Sequence, residues 1–239
     1  MSLSARFVSP MRDKKHSSPL FFLMDLAIYI SVMFLIREIY FSQFNFITNG
    51  LFWSFTCLIV ATGIMRFRGV TWKDLGMKKP ENYKNALLGT VFIFGFAIAS
   101  IIIFQMFKQQ LGLEVAPDNS NETAKSKFGE LYGNWLLFFS IIPFIWLESM
   151  LEEVLDRGFL MNWIERMLSS TLFATIVAVI VQAMIFGFRH SNDLSERSIT
   201  VGLIGLAMGI GYIAFGRNLW PLIIAHCVLN TMSMLDRVS

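Results

Sequence analysis

Three short polar strings interrupt the apolar stretches of this chain: Glu152-Glu153-x-x-x-Arg157, Phe186-x-x-x-His190 and His226-x-x-x-Asn230. Ionisable groups in hydrophobic segments are costly and mark functional sites by default. Glu153 and Arg157 stand at i and i+4 with the acid first, the favourable order for an ion pair on one helical face. Glu152 points about 100° away from its neighbour, shares a face with Glu148 and has no partner in its own string. The adjacent acids therefore have different expected roles: Glu153 structural, Glu152 chemical.

His226 and Asn230 also share a face, as do Phe186 and His190. One carboxylate, two imidazoles and one carboxamide can activate water. Glu152 would take a proton from water as general base, with His190 positioning or polarising that water. His226 and Asn230 would stabilise the oxyanion formed at a peptide carbonyl. Phe186 is expected to pack beside the site. Two His and one Glu are also a metallopeptidase zinc set, so Glu152, His190 and His226 are candidate ligands and zinc the candidate cofactor. The absence of His-Glu-x-x-His weakens that reading. No serine elbow occurs, and Cys227 points to a different face from its neighbour His226.

These strings need apolar helices to hold them. Of 239 residues, 55% are hydrophobic and 15% charged, with a mean hydropathy of +0.57. A soluble domain carries about 25% charged residues. The expected fold is all-α: a polytopic transmembrane bundle of seven to eight helices, with residues 1–19 a cytoplasmic tail and 20–239 a single membrane domain. Seven spans read as Leu20–Ile36, Leu51–Met65, Ala86–Phe107, Trp135–Leu155, Thr171–Phe188, Ile199–Phe215 and Leu219–Leu235. The first is expected to be a retained helix, not a cleaved signal. Gly202, Gly205, Gly209 and Gly211 give the sixth span a close-packing face.

A turn is expected at Ser169-Ser170. If the fourth span runs on to about Leu168 and reverses there, Glu152 and His190 come level across an antiparallel hairpin. Such a helix would be about 50 Å long, so it should project or kink, with Gly158 the candidate kink site. By the same counting, His226 falls nearer the cytoplasmic end than Glu152 and His190.

Arg6, Arg12, Lys14 and Lys15 in the tail, with Arg66, Arg68, Lys73, Lys78, Lys79 and Lys84 after the second span, put the amino terminus in the cytoplasm. Seven crossings leave the carboxyl terminus outside. The net charge of +3 sits largely in these segments, and no basic stripe with interleaved aromatics argues for nucleic acid. Cys57 and Cys227 read as packing residues, and Asn121-Glu122-Thr123 is a glycosylation triplet of the kind that arises by chance.

The three strings, in this order on separate apolar spans, resemble the CPBP family of CAAX proteases and bacteriocin-processing enzymes, also called the Abi group. Leu75-Gly76-Met77 resembles that family's Leu-Gly-Leu, and the likeness runs from about Trp72 to the carboxyl terminus. It implies an intramembrane endopeptidase with a cavity open to the cytoplasm. Glu152 and His190 are the implied water activators, His226 and Asn230 the implied oxyanion stabilisers. The implied partners are membrane lipid and a peptide, lipidated or membrane-protein substrate, in a multi-pass plasma-membrane protein. The family usually carries an aromatic where Asp156 stands. An acid there is expected to compete with Glu153 for Arg157 or to alter substrate fit at the cavity mouth. The alternatives are a non-catalytic immunity or scaffold protein, whose polar residues hold helices together, and a transporter, which the lack of inverted repeats disfavours.

Overall fold

The computed structural model describes residues 18–112, 115–116, 127–191 and 193–239. The basic tail with His16 and the Asn121-Glu122-Thr123 triplet lie outside the described residues.

The fold is all-helical. In chain order the helices are α1 (Pro19–Leu35), α2 (Phe46–Arg68), α3 (Tyr83–Leu111), α4 (Trp135–Glu153), a π-helical stretch (Val154–Leu160), α5 (Met161–Met167), α6 (Leu172–Ser191), α7 (Glu196–Ala214) and α8 (Trp220–Val238). Among the described residues, six helical segments are long and apolar enough to cross a membrane: α1 with its 3-10 end, α2, α3, the run Trp135–Met167, α6 and α7. The seventh expected span is the helix α8. It does not reach that apolar standard, because His226, Asn230, Asp236 and Arg237 all lie on it.

Local chemistry explains the boundaries. Asn45 caps α2 by accepting from Thr48 N at 2.9 Å, and Gly69 ends it at φ 71°. This helix is accordingly longer at both ends than the expected Leu51–Met65. Asn82 caps α3 and Asn134 caps α4, each accepting from backbone N–H groups left over at a helix start. Between α5 and α6, Ser169 and Ser170 adopt left-handed φ of 66° and 51°, making the turn at the expected place.

Helices α4 and α5 form one run of 33 residues interrupted by the π-helical stretch. Gly158, the candidate kink site, lies inside it. The Asn162 amide donates to the carbonyls of Arg157 (3.0 Å) and Gly158 (2.8 Å) and to Tyr212 Oη (3.0 Å). A single side chain thus serves backbone acceptors that the altered helical register exposes.

The most extensive helix contact is α6 on α7. At Gly187 a Cβ would lie 2.4 Å from Ser198 O, a distance only glycine permits. Gly205 and Gly209 face α6, bearing out the packing stripe, whereas Gly211 faces Ile93 of α3, where a Cβ would meet Cγ1 at 2.3 Å. Close backbone approach supplies packing where lipid offers helices no hydrophobic drive to associate.

The helices alternate in direction. Arg68 pairs with Asp25 through bonds of 2.8 and 2.9 Å, and Trp163 Nε1 donates to the same carboxylate. The start of α1, the end of α2 and α5 therefore share one face of the bundle. The α7–α8 turn joins them, since Leu219 N donates to Gly76 O at 3.1 Å. On the opposite face, Gly133 N donates to Val238 O at 2.9 Å, bringing the start of α4 to the end of α8.

Candidate active site

Helices α4 and α8 pack antiparallel with three polar rungs. Trp146 Nε1 donates to Thr231 Oγ1 (2.9 Å), Asn230 Nδ2 to Ser149 Oγ (2.9 Å), and His226 Nδ1 to Glu153 Oε1 (2.7 Å). Register places His226 and Asn230 along the same helix face as the two glutamates. The start of α8 is itself fixed by Leu75-Gly76-Met77. Tyr212 Oη donates to Leu75 O at 2.9 Å, and Gly76, at φ 100°, lies so close that a Cβ would stand 2.3 Å from Arg217 O.

Glu153 is fully buried and bonds Arg157 at 2.9 Å as well as His226. Arg157 also donates to Gly205 O at 3.2 Å, and its guanidinium stands over the Phe186 ring at 4.4 Å. Both Arg157 and His226 bond the same oxygen, Oε1, of Glu153, and such pairing is what makes a buried charge tolerable. The side chain of Glu152, by contrast, keeps 13% of its surface exposed. It faces His190 Nε2 at 3.6 Å and His226 Nε2 at 3.7 Å. Both separations exceed a direct hydrogen bond and suit a shared water.

Each imidazole is oriented by an acceptor at its other nitrogen. His190 Nδ1 stands 2.7 Å from Phe186 O, and His226 Nδ1 stands 2.7 Å from Glu153 Oε1. A carbonyl or carboxylate oxygen cannot donate, so Nδ1 carries the proton in both rings and Nε2 is turned to Glu152. Phe186 is 1% exposed, with its ring centroid 4.6 Å from that of His190 and 6.1 Å from that of His226. It braces both rings from behind instead of lining the cavity. Asn230 gives one N–H to Ser149, whose hydroxyl donates in turn to Ile145 O at 2.8 Å. Its second N–H is left for another acceptor.

Two residues that sequence reasoning passed over belong here. Arg189 donates to both oxygens of the buried Asp156, at 2.9 and 2.7 Å, and lies 3.6 Å from Glu152 Oε1. Asp156 therefore neither competes with Glu153 for Arg157 nor reaches the cavity mouth: its partner is Arg189. The signal was an Asp and an Arg each adjacent to a motif residue in a buried segment. Ser149, which holds Asn230, left no signal beyond lying four residues before Glu153.

Glu152, His190, His226 and Asn230 line a cavity of about 260 Å³. Its other walls come from the first turns of α2 (Phe46, Ile47, Gly50), from Phe128, and from the last turns of α8 (Ser233, Met234). All lie toward the face opposite the start of α1. A cytoplasmic amino terminus, expected from the Lys and Arg placement, and a cytoplasmic cavity mouth, implied by the family resemblance, therefore exclude one another.

Glu152, His190 and His226 carry the donor types of a catalytic zinc site. Among the described residues, no three His, Cys, Asp or Glu side chains gather as a metal-holding group. No step below runs through a metal.

The comparison with known families falls on this same ground. Residues 134–232 match the family described as type II CAAX prenyl endopeptidase Rce1-like. The match contains all three polar strings and bears out the resemblance to the CAAX proteases. No curated protein and no solved structure matches the chain. The Rce1-like segment begins at the cap of α4 and ends within α8, so it takes in the helices that carry Glu152, His190 and His226.

Proposed function

We propose that this protein is an intramembrane endopeptidase that cleaves a membrane-associated peptide or lipidated protein with water activated by Glu152 and His190. One observation carries the reading. A partly exposed carboxylate at the base of a cavity faces two imidazole Nε2 atoms, and each ring is held by an acceptor behind it. The family match supports the peptidase class.

In the proposed reaction, water between Glu152 and His190 gives a proton to Glu152 as its oxygen bonds the peptide carbonyl carbon. The carbonyl π pair becomes an oxyanion, which the unassigned N–H of Asn230 and, when protonated, Nε2–H of His226 stabilise. The oxyanion reforms the carbonyl, the C–N bond breaks, and Glu152 returns the proton to the leaving amine. Glu153, Arg157 and Phe186 are positioning residues. No metal is needed.

The test is cleavage of a reporter peptide by purified protein, with and without chelator, beside Glu152→Ala. Chelator-resistant cleavage that is lost in the variant is expected. Full activity in Glu152→Ala overturns the assignment, and loss of activity with chelator overturns the metal-free mechanism.

We also propose that the amino terminus is cytoplasmic, as the Lys and Arg of the α2–α3 connection indicate. The cavity then opens on the extracytoplasmic side of the membrane, contrary to the family-based expectation.

A further inference from the structure

The π-helical stretch separates two helices that are fastened to different parts of the bundle. On the cavity side, α4 is tied to α8 by the Trp146–Thr231, Ser149–Asn230 and Glu153–His226 bonds. On the opposite side, α5 is tied to α1 by Trp163 Nε1, which donates to Asp25 at 3.1 Å. It is tied to the α7–α8 turn by Glu165, which accepts from Arg217 at 2.9 and 2.8 Å. Neither helix can turn about its axis without breaking these bonds.

A helix turns about 100° per residue, so the register between the two fastenings decides where the last turn of α4 points its side chains. Glu152 lies in that turn. With α5 held, a return of Val154–Leu160 to the α-helical register would swing Glu152 away from His190 Nε2 and His226 Nε2, which it now faces at 3.6 and 3.7 Å. A π-helical stretch disturbs the regular backbone bonding of a helix, and such stretches concentrate at functional sites.

One side chain offsets that disturbance. Asn162 is fully buried, and its amide donates to Arg157 O, Gly158 O and Tyr212 Oη at 3.0, 2.8 and 3.0 Å. Its Oδ1 accepts from Arg217 Nη1 at 3.3 Å, which fixes the amide with its donors toward the π-helical carbonyls. Tyr212 Oη donates onward to Leu75 O at 2.9 Å. A buried carbonyl that loses its donor is destabilising, so removal of this amide favours the α register, in which the helix pairs its own carbonyls. Asn162 lies about 15 Å along the helix from Glu152 and takes no part in the cavity wall.

We infer that Asn162 is a positioning residue for the proposed hydrolysis: from outside the active site, it holds the helical register that turns Glu152 into the cavity. The inference rests on the peptidase reading for its effect on rate, but the direction of Glu152 can be read without any cleavage.

The experiment uses the full chain in phosphatidylcholine nanodiscs and two variants. Asn162→Leu keeps a side chain of similar size and removes its donors. Asn162→Ser keeps a hydroxyl that can bond Gly158 O, four residues back. It retains one of the bonds and serves as the test if the Leu variant does not fold. Cleavage of the reporter peptide should show kcat lower by about 10²-fold in Asn162→Leu, a smaller loss in Asn162→Ser and little change in KM. In parallel, Glu152→Cys, with Cys57 and Cys227 changed to Ser, is labelled with a water-soluble maleimide, which reacts with a thiol open to the cavity. Adding Asn162→Leu should slow labelling by about tenfold or more, and adding Asn162→Ser by less. An unchanged labelling rate in both overturns the inference, whatever the activity. Slower labelling with kcat intact overturns it too, because the direction of Glu152 would then not govern cleavage. Slower labelling in a protein that cleaves nothing, the unsubstituted chain included, keeps the register assigned to Asn162 and removes the peptidase reading.

Discussion

His226 lies between the two adjacent glutamates, with Nδ1 2.7 Å from Glu153 Oε1 and Nε2 3.7 Å from Glu152 Oε2. One imidazole therefore joins a fully buried, ion-paired acid to the acid at the cavity base. The different roles of neighbouring carboxylates follow from this placement.

The first prediction separates them. Glu152→Gln should lower cleavage by a factor of about 10² or more and leave the melting temperature nearly unchanged, because no buried partner is stranded. Glu153→Gln should destabilise the protein by about 3–5 kcal/mol, since the buried Arg157 loses its counter-charge while the amide oxygen can only partly replace the carboxylate. Thermal unfolding in detergent, run beside the cleavage assay, measures both. Equal melting shifts for the two variants would contradict the division of roles.

Asn230 is expected to act in the transition state. Asn230→Ala should reduce kcat by about 10²-fold with little change in KM. Ser149→Ala should give a smaller loss, because the amide keeps its chemistry and loses only its orientation. A rise in KM with kcat intact would assign Asn230 to substrate binding.

Asp156 and Arg189 should behave as a unit. Asp156→Ala removes the two-bond partner of a buried guanidinium, leaving it only the longer contact to Glu152, and should cost about 3–5 kcal/mol. Asp156→Leu combined with Arg189→Met should recover much of that stability but not the activity, because the cation 3.6 Å from Glu152 is gone. A double-mutant cycle on stability and kcat checks this. Additive stability losses would show that the pair is not coupled.

Gly187→Ala should disrupt the α6–α7 contact, where the added carbon meets Ser198 O at 2.4 Å. Overpacking of this kind costs about 1–3 kcal/mol. Gly50→Ala, where a Cβ meets nothing within 4 Å, should be tolerated, and comparison of folded yields tests the contrast.

The last prediction concerns sidedness. A cysteine at Ser233 on the cavity wall should react in intact cells with a membrane-impermeant maleimide added outside. A cysteine at Lys78, in the α2–α3 connection, should react only after permeabilisation. The reverse pattern would place the cavity mouth in the cytoplasm.

The sequence by itself determined the elements and the local pairs. Hydropathy marks the apolar helices, Asn and Gly mark their ends, and i, i+4 spacing brings Glu153 to Arg157, because all of these act within a turn or two of one helix. Counting from Ser169-Ser170 even brought Glu152 level with His190, since a tight hairpin fixes its own register. Only the tertiary structure decided that Glu153 holds His226, that Asp156 takes Arg189, and that the cavity opens away from the amino-terminal face. Those relations depend on how each helix is rotated and slid against its neighbours. The π-helical register at Val154–Leu160 and the backbone contacts at Gly187 and Gly76 set that geometry, and no spacing within a single segment encodes it.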